Sequence, residues 1–359
     1  MDSEGLNPYL QYSKHRKKIG KEMRKYILSI FVIFMMLSGQ LYSGELNIYS
    51  HRQPFLINPF LNKFTEETGI KTNVVYATKG LAQRLKAEGK NSPADLILTV
   101  DIGRLYVYDD LDLLAEIKSN TLDKNIPSHL KSSDNKWFAL SKRSRIIVVS
   151  DERIGAGEIF KIEDLADPKW KGKICSRPGS HVYNRALMAS LILALGEERA
   201  EEWASNFVSN LARRPQGNDR AQVKAIYEGQ CDIAIINNYY YGKLKYSEDP
   251  IQRKWASTVR LIFPNQGEGD RGAHINISGG GVAKHSKNKD LAISLLEFLS
   301  KESSQKMYGE INFEYPVNPN VETTDELKSW GSFRADSVKI SDIAKITQTA
   351  QKIIDRTGW

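Results

Sequence analysis

Between residues 45 and 240 the chain alternates short β-branched runs with amphipathic helical stretches, and it does so twice. Leu46–Tyr49 reads as a strand, and Phe55–Thr68 as a helix with Phe60 and Phe64 on one face. Lys71–Tyr76, Leu81–Glu88 and Asp95–Val100 follow as strand, helix and strand. A βαβαβ order predicts a parallel sheet covered by helices on both faces. After Trp137–Leu140, the apolar strand Arg145–Ser150 leaves this first unit. The pattern then restarts with a strand at Gly172–Cys175 and a helix over Tyr183–Leu195. Ala200, Trp203, Phe207 and Leu211 recur at helical spacing, and Asp219 is placed to cap the helix that ends near Glu228. Cys231–Ile236 is continuously apolar, as a strand buried on both faces requires. Leu291, Leu295 and Leu299 mark a later helix face. Two α/β units with no linker-like run between them predict two lobes joined by crossing strands, with a ligand cleft between.

The 359 residues are 41 % apolar and 26 % charged, which excludes collagen-like, disordered and disulfide-framework classes. The apolar run Ile27–Leu37 is too short to span a bilayer, which needs about 20 apolar residues. It follows the basic cluster Lys14, Arg16, Lys17, Lys18, Lys21, Arg24 and Lys25, so residues 1–44 read as an export signal. Met23 opens a more typical signal, with 1–22 as an upstream extension, and cleavage is expected between Gly39 and Gly44. Gln40 stands where a lipoprotein signal needs its lipidated Cys, so lipid anchoring is not expected. Residues 1–44 carry seven basic and three acidic side chains, so the 51 basic and 43 acidic residues of the whole chain become 44 and 40 after export. That balance gives no support to a nucleic-acid partner. Cys175 and Cys231 would enter an oxidising compartment, as a disulfide or as two buried thiols.

Several segments resemble the periplasmic ferric-iron-binding proteins, the solute-binding components of iron(III) ABC transporters. They are Leu46-Asn47-Ile48-Tyr49-Ser50-His51-Arg52-Gln53-Pro54, Ser92-Pro93-Ala94-Asp95, Asp167-Pro168-Lys169-Trp170-Lys171-Gly172-Lys173 and Glu314-Tyr315-Pro316-Val317-Asn318-Pro319. Ile236-Asn237-Asn238-Tyr239-Tyr240-Tyr241-Gly242 is similar to the family's tandem-tyrosine iron motif. The likeness extends over 45–359 and implies the bilobed type II periplasmic binding fold. One lobe is then expected at 45–144 plus 268–314, and the other at 145–267 plus 315–359. A monomer working with an inner-membrane ABC permease is implied.

Fe(III) is small and hard and favours anionic oxygen over thiolate. A free phenol titrates near ~10, but a bound cation favours its deprotonated form. Tyr239 and Tyr240 follow a buried strand and emerge at its carboxyl end, where open α/β sheets bind ligands. From the residues alone, aromatics that pack a strand end remain an equal reading; the resemblance implies iron ligation by Tyr239 and Tyr240. It implies the same for Tyr183, in Ser176-Arg177-Pro178-Gly179-Ser180-His181-Val182-Tyr183-Asn184, where a glycine-containing turn enters a helix. Tyr241 matches no ligand and is expected to pack or line the cleft. Tyr183 and Tyr239 each stand eight residues beyond a cysteine, so cysteines on neighbouring strands would bring both tyrosines to one cleft edge.

Where some relatives carry His and Glu ligands from the first lobe, this chain has Gln53 and Val100. The remaining set resembles the three-tyrosine variety in which carbonate completes the coordination, and the residues that match its carbonate contacts are Gln53 and Arg143. A planar guanidinium suits a trigonal oxyanion; an ion pair for Arg143, an exchange of roles with Arg145, and a helix cap for Gln53 stay open. His51, Arg52 and Asn237 are candidate cleft-lining residues, with His51 a further possible ligand. His129, His274 and His285 are expected to be structural or exposed. Ser278-Gly279-Gly280-Gly281 lacks a P-loop ending and reads as a turn or tight lobe crossing. No GxSxG, HExxH or paired-carboxylate signature occurs, so catalysis has no support. The expected function is capture of Fe(III) with carbonate. The rivals are a binding protein of the same fold for an oxyanion or polyamine, and a secreted enzyme.

Overall fold

The computed structural model describes residues 44–359; the export-signal reading lies outside the described residues. Eight strands are present: β1 (Glu45–Ser50), β2 (Lys71–Tyr76), β3 (Leu96–Thr99), β4 (Phe138–Ser150), β5 (Ile174–Cys175), β6 (Ile233–Asn237), β7 (Val259–Ile262) and β8 (Ile275–Val282). They run in the order β2-β1-β3-β8-β4-β6-β5, with β7 also paired to β4. β1 is parallel to β2 and β3, and β5 to β6, as the alternation predicts. The sheet is nonetheless mixed. β8 inserts antiparallel between β3 and β4, and β4 is antiparallel to β6 and β7.

The runs Trp137–Leu140 and Arg145–Ser150 are parts of one strand, β4, thirteen residues long and buried almost throughout. Its first half pairs with β8, and its second half with β6 and β7. β4 therefore carries the chain from one half of the molecule to the other. A second crossing is Glu314–Tyr315, where Tyr315 bridges Lys142 of β4. A buried node sits at these crossings: Arg52 donates to Glu314 at 2.7 Å and to Ser278 of β8 at 2.6 Å, while Ser141 of β4 donates to Glu314 at 2.6 Å.

The helix Pro54–Thr68 shows why the local elements form. Pro54 presets φ at its first turn. Leu56, Ile57, Phe60, Leu61 and Phe64 make one buried stripe, and Gly69, at φ 75°, closes it by donating to Thr65 O. Phe60 stacks near Tyr308 (centroids 4.3 Å apart) and Phe64 meets Phe298 edge-on, which docks this helix against Lys289–Ser300 and Glu302–Asn312. On the other half Trp359 packs against Trp203 and Phe207, closing the Thr347–Thr357 helix onto Val182–Leu195.

Gly279, Gly280 and Gly281 do not form a turn; they lie within β8. A Cβ on Gly280 would come within 2.7 Å of the Ile97 carbonyl oxygen, and one on Gly279 within 2.7 Å of the Phe138 carbonyl. Only glycine lets β3 and β4 close on this strand. Cys175 and Cys231 form a disulfide, with Cα atoms 5.8 Å apart, that ties β5 to the start of β6.

Candidate metal centre

β6 ends at Asn237, and the helix Asn238–Lys245 begins at the next residue. Asn238 fixes this junction: its Oδ1 accepts the Ser144 N–H and its Nδ2 donates to Phe313 O, both at 2.8 Å. Tyr239 and Tyr240 therefore sit in the first helical turn. Strand alternation would send adjacent side chains to opposite faces; the helix lets both rings enter one pocket, with centroids 4.4 Å apart. The sequence expectation had the strand running on to Asn238 and a turn there, and the immediate helix start does that job.

Tyr183 is the second residue of the helix Val182–Leu195. Its backbone N–H donates to Nδ1 of His181, the N-cap, at 3.3 Å. Its ring lies between two guanidinium groups, with Arg143 at 5.3 Å and Arg177 at 5.1 Å from the centroid. The Tyr239 hydroxyl donates to the Tyr183 hydroxyl at 3.0 Å. All three phenols stand on segments flanking β5 and β6. Across a cavity of about 170 Å³ they face His51, Gln53, Val100 and Arg104. Arg220 and Lys243 line the same cavity, and no carboxylate does.

Behind the phenols Asp219 is wholly buried. It accepts from Arg145 at 2.8 Å, from Arg177 at 2.7 Å and from the Asn237 N–H at 2.8 Å. The capping expected of Asp219 falls instead to Asn218, whose side chain accepts the Ala221 N–H. Burial pushes the Asp219 carboxyl up, but Arg145 and Arg177 outweigh it and hold it below the usual value. Burial raises the Tyr239 hydroxyl well above the ordinary phenol value and raises Tyr240 also, in each case helped by the neighbouring Tyr183. Burial lowers His51 to about 4, and burial with Arg177 lowers His181 to about 3, so both rings are neutral at neutral pH.

The remaining sequence candidates divide. Gln53 is exposed at the N-cap of Pro54–Thr68, makes no side-chain cap bond and lines the cavity. His51 also lines it, but Nδ1 pairs with Ala77 O at 2.7 Å and Nε2 with the Tyr108 hydroxyl at 2.9 Å. Arg143 is buried against the Tyr183 ring; it holds the Val100 carbonyl and lies 3.7 Å from Asp101, with Nη1 unpartnered. Arg145 is committed to Asp219 and Asn184 and cannot exchange roles with it. Arg52 does not line the cleft, because the Glu314 node holds it inside. Tyr241 packs edge-on against Trp330, 5.4 Å between centroids. Asn237 is buried and donates to the Tyr239 hydroxyl at 3.4 Å, so it touches a phenol rather than the cavity. His274 is fully buried. Arg104, Arg177 and Arg220 were missed as site residues; only Arg177 lies in a segment the resemblance marks.

Among the described residues no group of three or more His, Cys, Asp or Glu side chains is arranged to hold a metal. The phenols are a different donor set. Two hydroxyl oxygens 3.0 Å apart match the roughly 2.8 Å edge of an octahedron whose oxygens stand about 2.0 Å from a small hard cation. The donors fit such an ion once their protons leave.

Comparison with known proteins places this geometry. The model of the bacterial extracellular solute-binding protein family matches residues 60–335. Iron uptake protein A1 of Synechocystis sp. is 42 % identical over 316 residues, covering 88 % of this chain and 87 % of that protein. The crystal structure of the Pasteurella haemolytica apo ferric ion-binding protein A superposes with a TM-score of 0.83 at 46 % identity, covering 87 % of this chain and 97 % of that one. A Trichodesmium protein solved in complex with iron and citrate gives 0.82 at 44 % identity, covering 88 % and 100 %. The chain has the type II periplasmic binding fold of these structures, and it belongs to the bacterial extracellular solute-binding protein family.

Proposed function

We propose that this protein is an exported carrier that captures Fe(III) on the phenolates of Tyr183, Tyr239 and Tyr240 and delivers it to an inner-membrane ABC permease for iron uptake. The observation that carries this reading is the convergence of three buried phenols, two of them in hydroxyl contact, in a cavity lined by no carboxylate. Relatives named for iron uptake and ferric iron binding support it. Three phenolates formally balance Fe(III), and a bidentate carbonate on Gln53 and Arg143 would fill two further positions. The unpartnered Nη1 of Arg143 supports that assignment. Citrate in the Trichodesmium relative favours a second reading, in which an organic acid takes the place of carbonate. The lobes we assign are 45–144 plus 268–314 and 145–267 plus 315–359, with closure about β4 and the Glu314 node. Periplasmic residence and a monomeric carrier complete the proposal.

Loading iron-free protein with ferric salt and bicarbonate should give a phenolate-to-iron charge-transfer band in the visible. Tyr239→Phe should abolish or strongly bleach it while leaving the far-ultraviolet circular dichroism unchanged. An unaltered visible spectrum in that variant would remove the assignment. An oxyanion or polyamine carrier would show no colour with iron at all.

A further inference from the structure

The tyrosine cavity opens into a larger chamber of about 550 Å³, and the two share His51, Arg104, Arg177 and His181. Lys79 and Arg104 line this outer chamber from the first half of the molecule, and Arg177 and Arg185 from the second. No carboxylate lines it. Among the described residues Lys79 and Arg104 have no ion-pair partner, and Arg185 donates only to Gln351, at 3.2 Å. Arg177 pairs with Asp219, but Arg145 claims the same carboxylate. The helix Leu81–Glu88 begins at Gly80 on the chamber wall, with no side-chain acceptor at its cap. Its first-turn N–H groups therefore add to the positive lining.

Cations from both halves that face one another across a gap repel unless an anion stands between them. Fe(III) with three phenolates is neutral, and carbonate adds two negative charges. Arg104, Arg177, Arg185, Arg220, Lys79 and Lys243 supply more positive charge than that unit offsets. The outer chamber also falls in the ~300–1,000 Å³ range of organic-ligand pockets, far beyond the four heavy atoms of carbonate.

We propose that the outer chamber is a second anion subsite, which takes an organic polycarboxylate between Lys79 and Arg104 on one side and Arg177 and Arg185 on the other. Its purpose rests on the iron reading, as the seat of a chelator that travels with the metal; binding itself requires no metal. Charge–charge hydrogen bonds of this kind fix the occupant by its carboxylates. Tricarballylate, which has the three carboxylates of citrate without the hydroxyl, should therefore bind as citrate does.

The test is calorimetric titration of citrate and of tricarballylate into the iron-free protein at low ionic strength. Both should bind, and the double variant Lys79→Gln/Arg185→Gln should weaken each by at least about tenfold. Its unfolding temperature and its colour with iron and bicarbonate should stay those of the parent. Tyr239→Phe should leave the citrate titration within about twofold of the parent, because the binding cations are untouched. Failure of either acid to bind, or binding that the double variant leaves intact, overturns the proposal. Should Tyr239→Phe keep the iron colour, the metal reading fails, while the titrations still decide the chamber.

Discussion

Replacing Asp219 with Asn would remove the one negative charge shared by two buried guanidinium groups. The carboxylate lies 2.8 Å from Arg145 and 2.7 Å from Arg177. Asn keeps its shape and still offers an oxygen to the Asn237 N–H, so the perturbation is electrostatic. Taking one partner from a buried ion pair costs about 3–5 kcal/mol. Because two cations lose their counter-charge together, the upper end of that range applies. At roughly 2–4 °C per kcal/mol, the unfolding temperature should fall by about 10–20 °C. The pH dependence supplies a sharper signature. The Asp219 carboxyl is held below its ordinary value in the folded protein. A depressed carboxyl contributes its full stability above the unfolded pKa, near ~3.9, and loses it as pH falls through the folded value. The gap between parent and variant should therefore be widest at neutral pH and shrink below about pH 4. Adding Arg145→Met to the variant should restore part of the loss, since it removes one of the stranded cations. Thermal unfolding followed by circular dichroism at pH 7 and pH 3.5 reads all of this. A drop of under about 3 °C at pH 7, or a gap that does not change with pH, would refute the reasoning.

Replacing both Cys175 and Cys231 with Ser opens a loop of 56 residues and should cost about 4 kcal/mol, read as a lower urea midpoint; equal midpoints would mean the crosslink contributes nothing. Gly280→Ala places a methyl 2.7 Å from the Ile97 carbonyl oxygen and should cost about 1–3 kcal/mol, measured by the same titration; a neutral outcome would mean β3 and β8 can separate at no cost. Burial raises Tyr239 and Tyr240 in the metal-free protein, so iron must displace their protons. Retention against a competing chelator should weaken by about tenfold per pH unit for each proton displaced, between pH 7.5 and 6.5. A flat response would exclude phenolate ligation.

Features encoded within a few residues were readable from sequence. The helix Leu81–Glu88 agrees residue for residue, since its apolar spacing is complete within its own length. The tandem Tyr239-Tyr240 stands out because two phenols directly after an apolar strand is a rare local pattern. Asp219 was misread because an acidic residue at a helix start looks like a cap, whereas Arg145 and Arg177 stand 74 and 42 residues away. Gly279–Gly281 reads locally as a turn; the need for glycine comes from the carbonyls of Ile97 and Phe138, which no window around residue 280 contains. The same distance effect hid the mixed sheet. Strand and helix alternation fixes the parallel neighbours, but β8 joins residues 96–99 to residues 279–282 only in three dimensions.

The phenols of Tyr183, Tyr239 and Tyr240 all project from one jaw of the molecule. On the iron reading, landing and enclosure then become separate events, because cargo can rest on a single shelf before the opposite jaw swings over. Unloading inherits the same economy. A transporter that prises the jaws apart withdraws Gln53 first and leaves the ion on an open ledge, attached by three oxygen bonds that can be broken in turn.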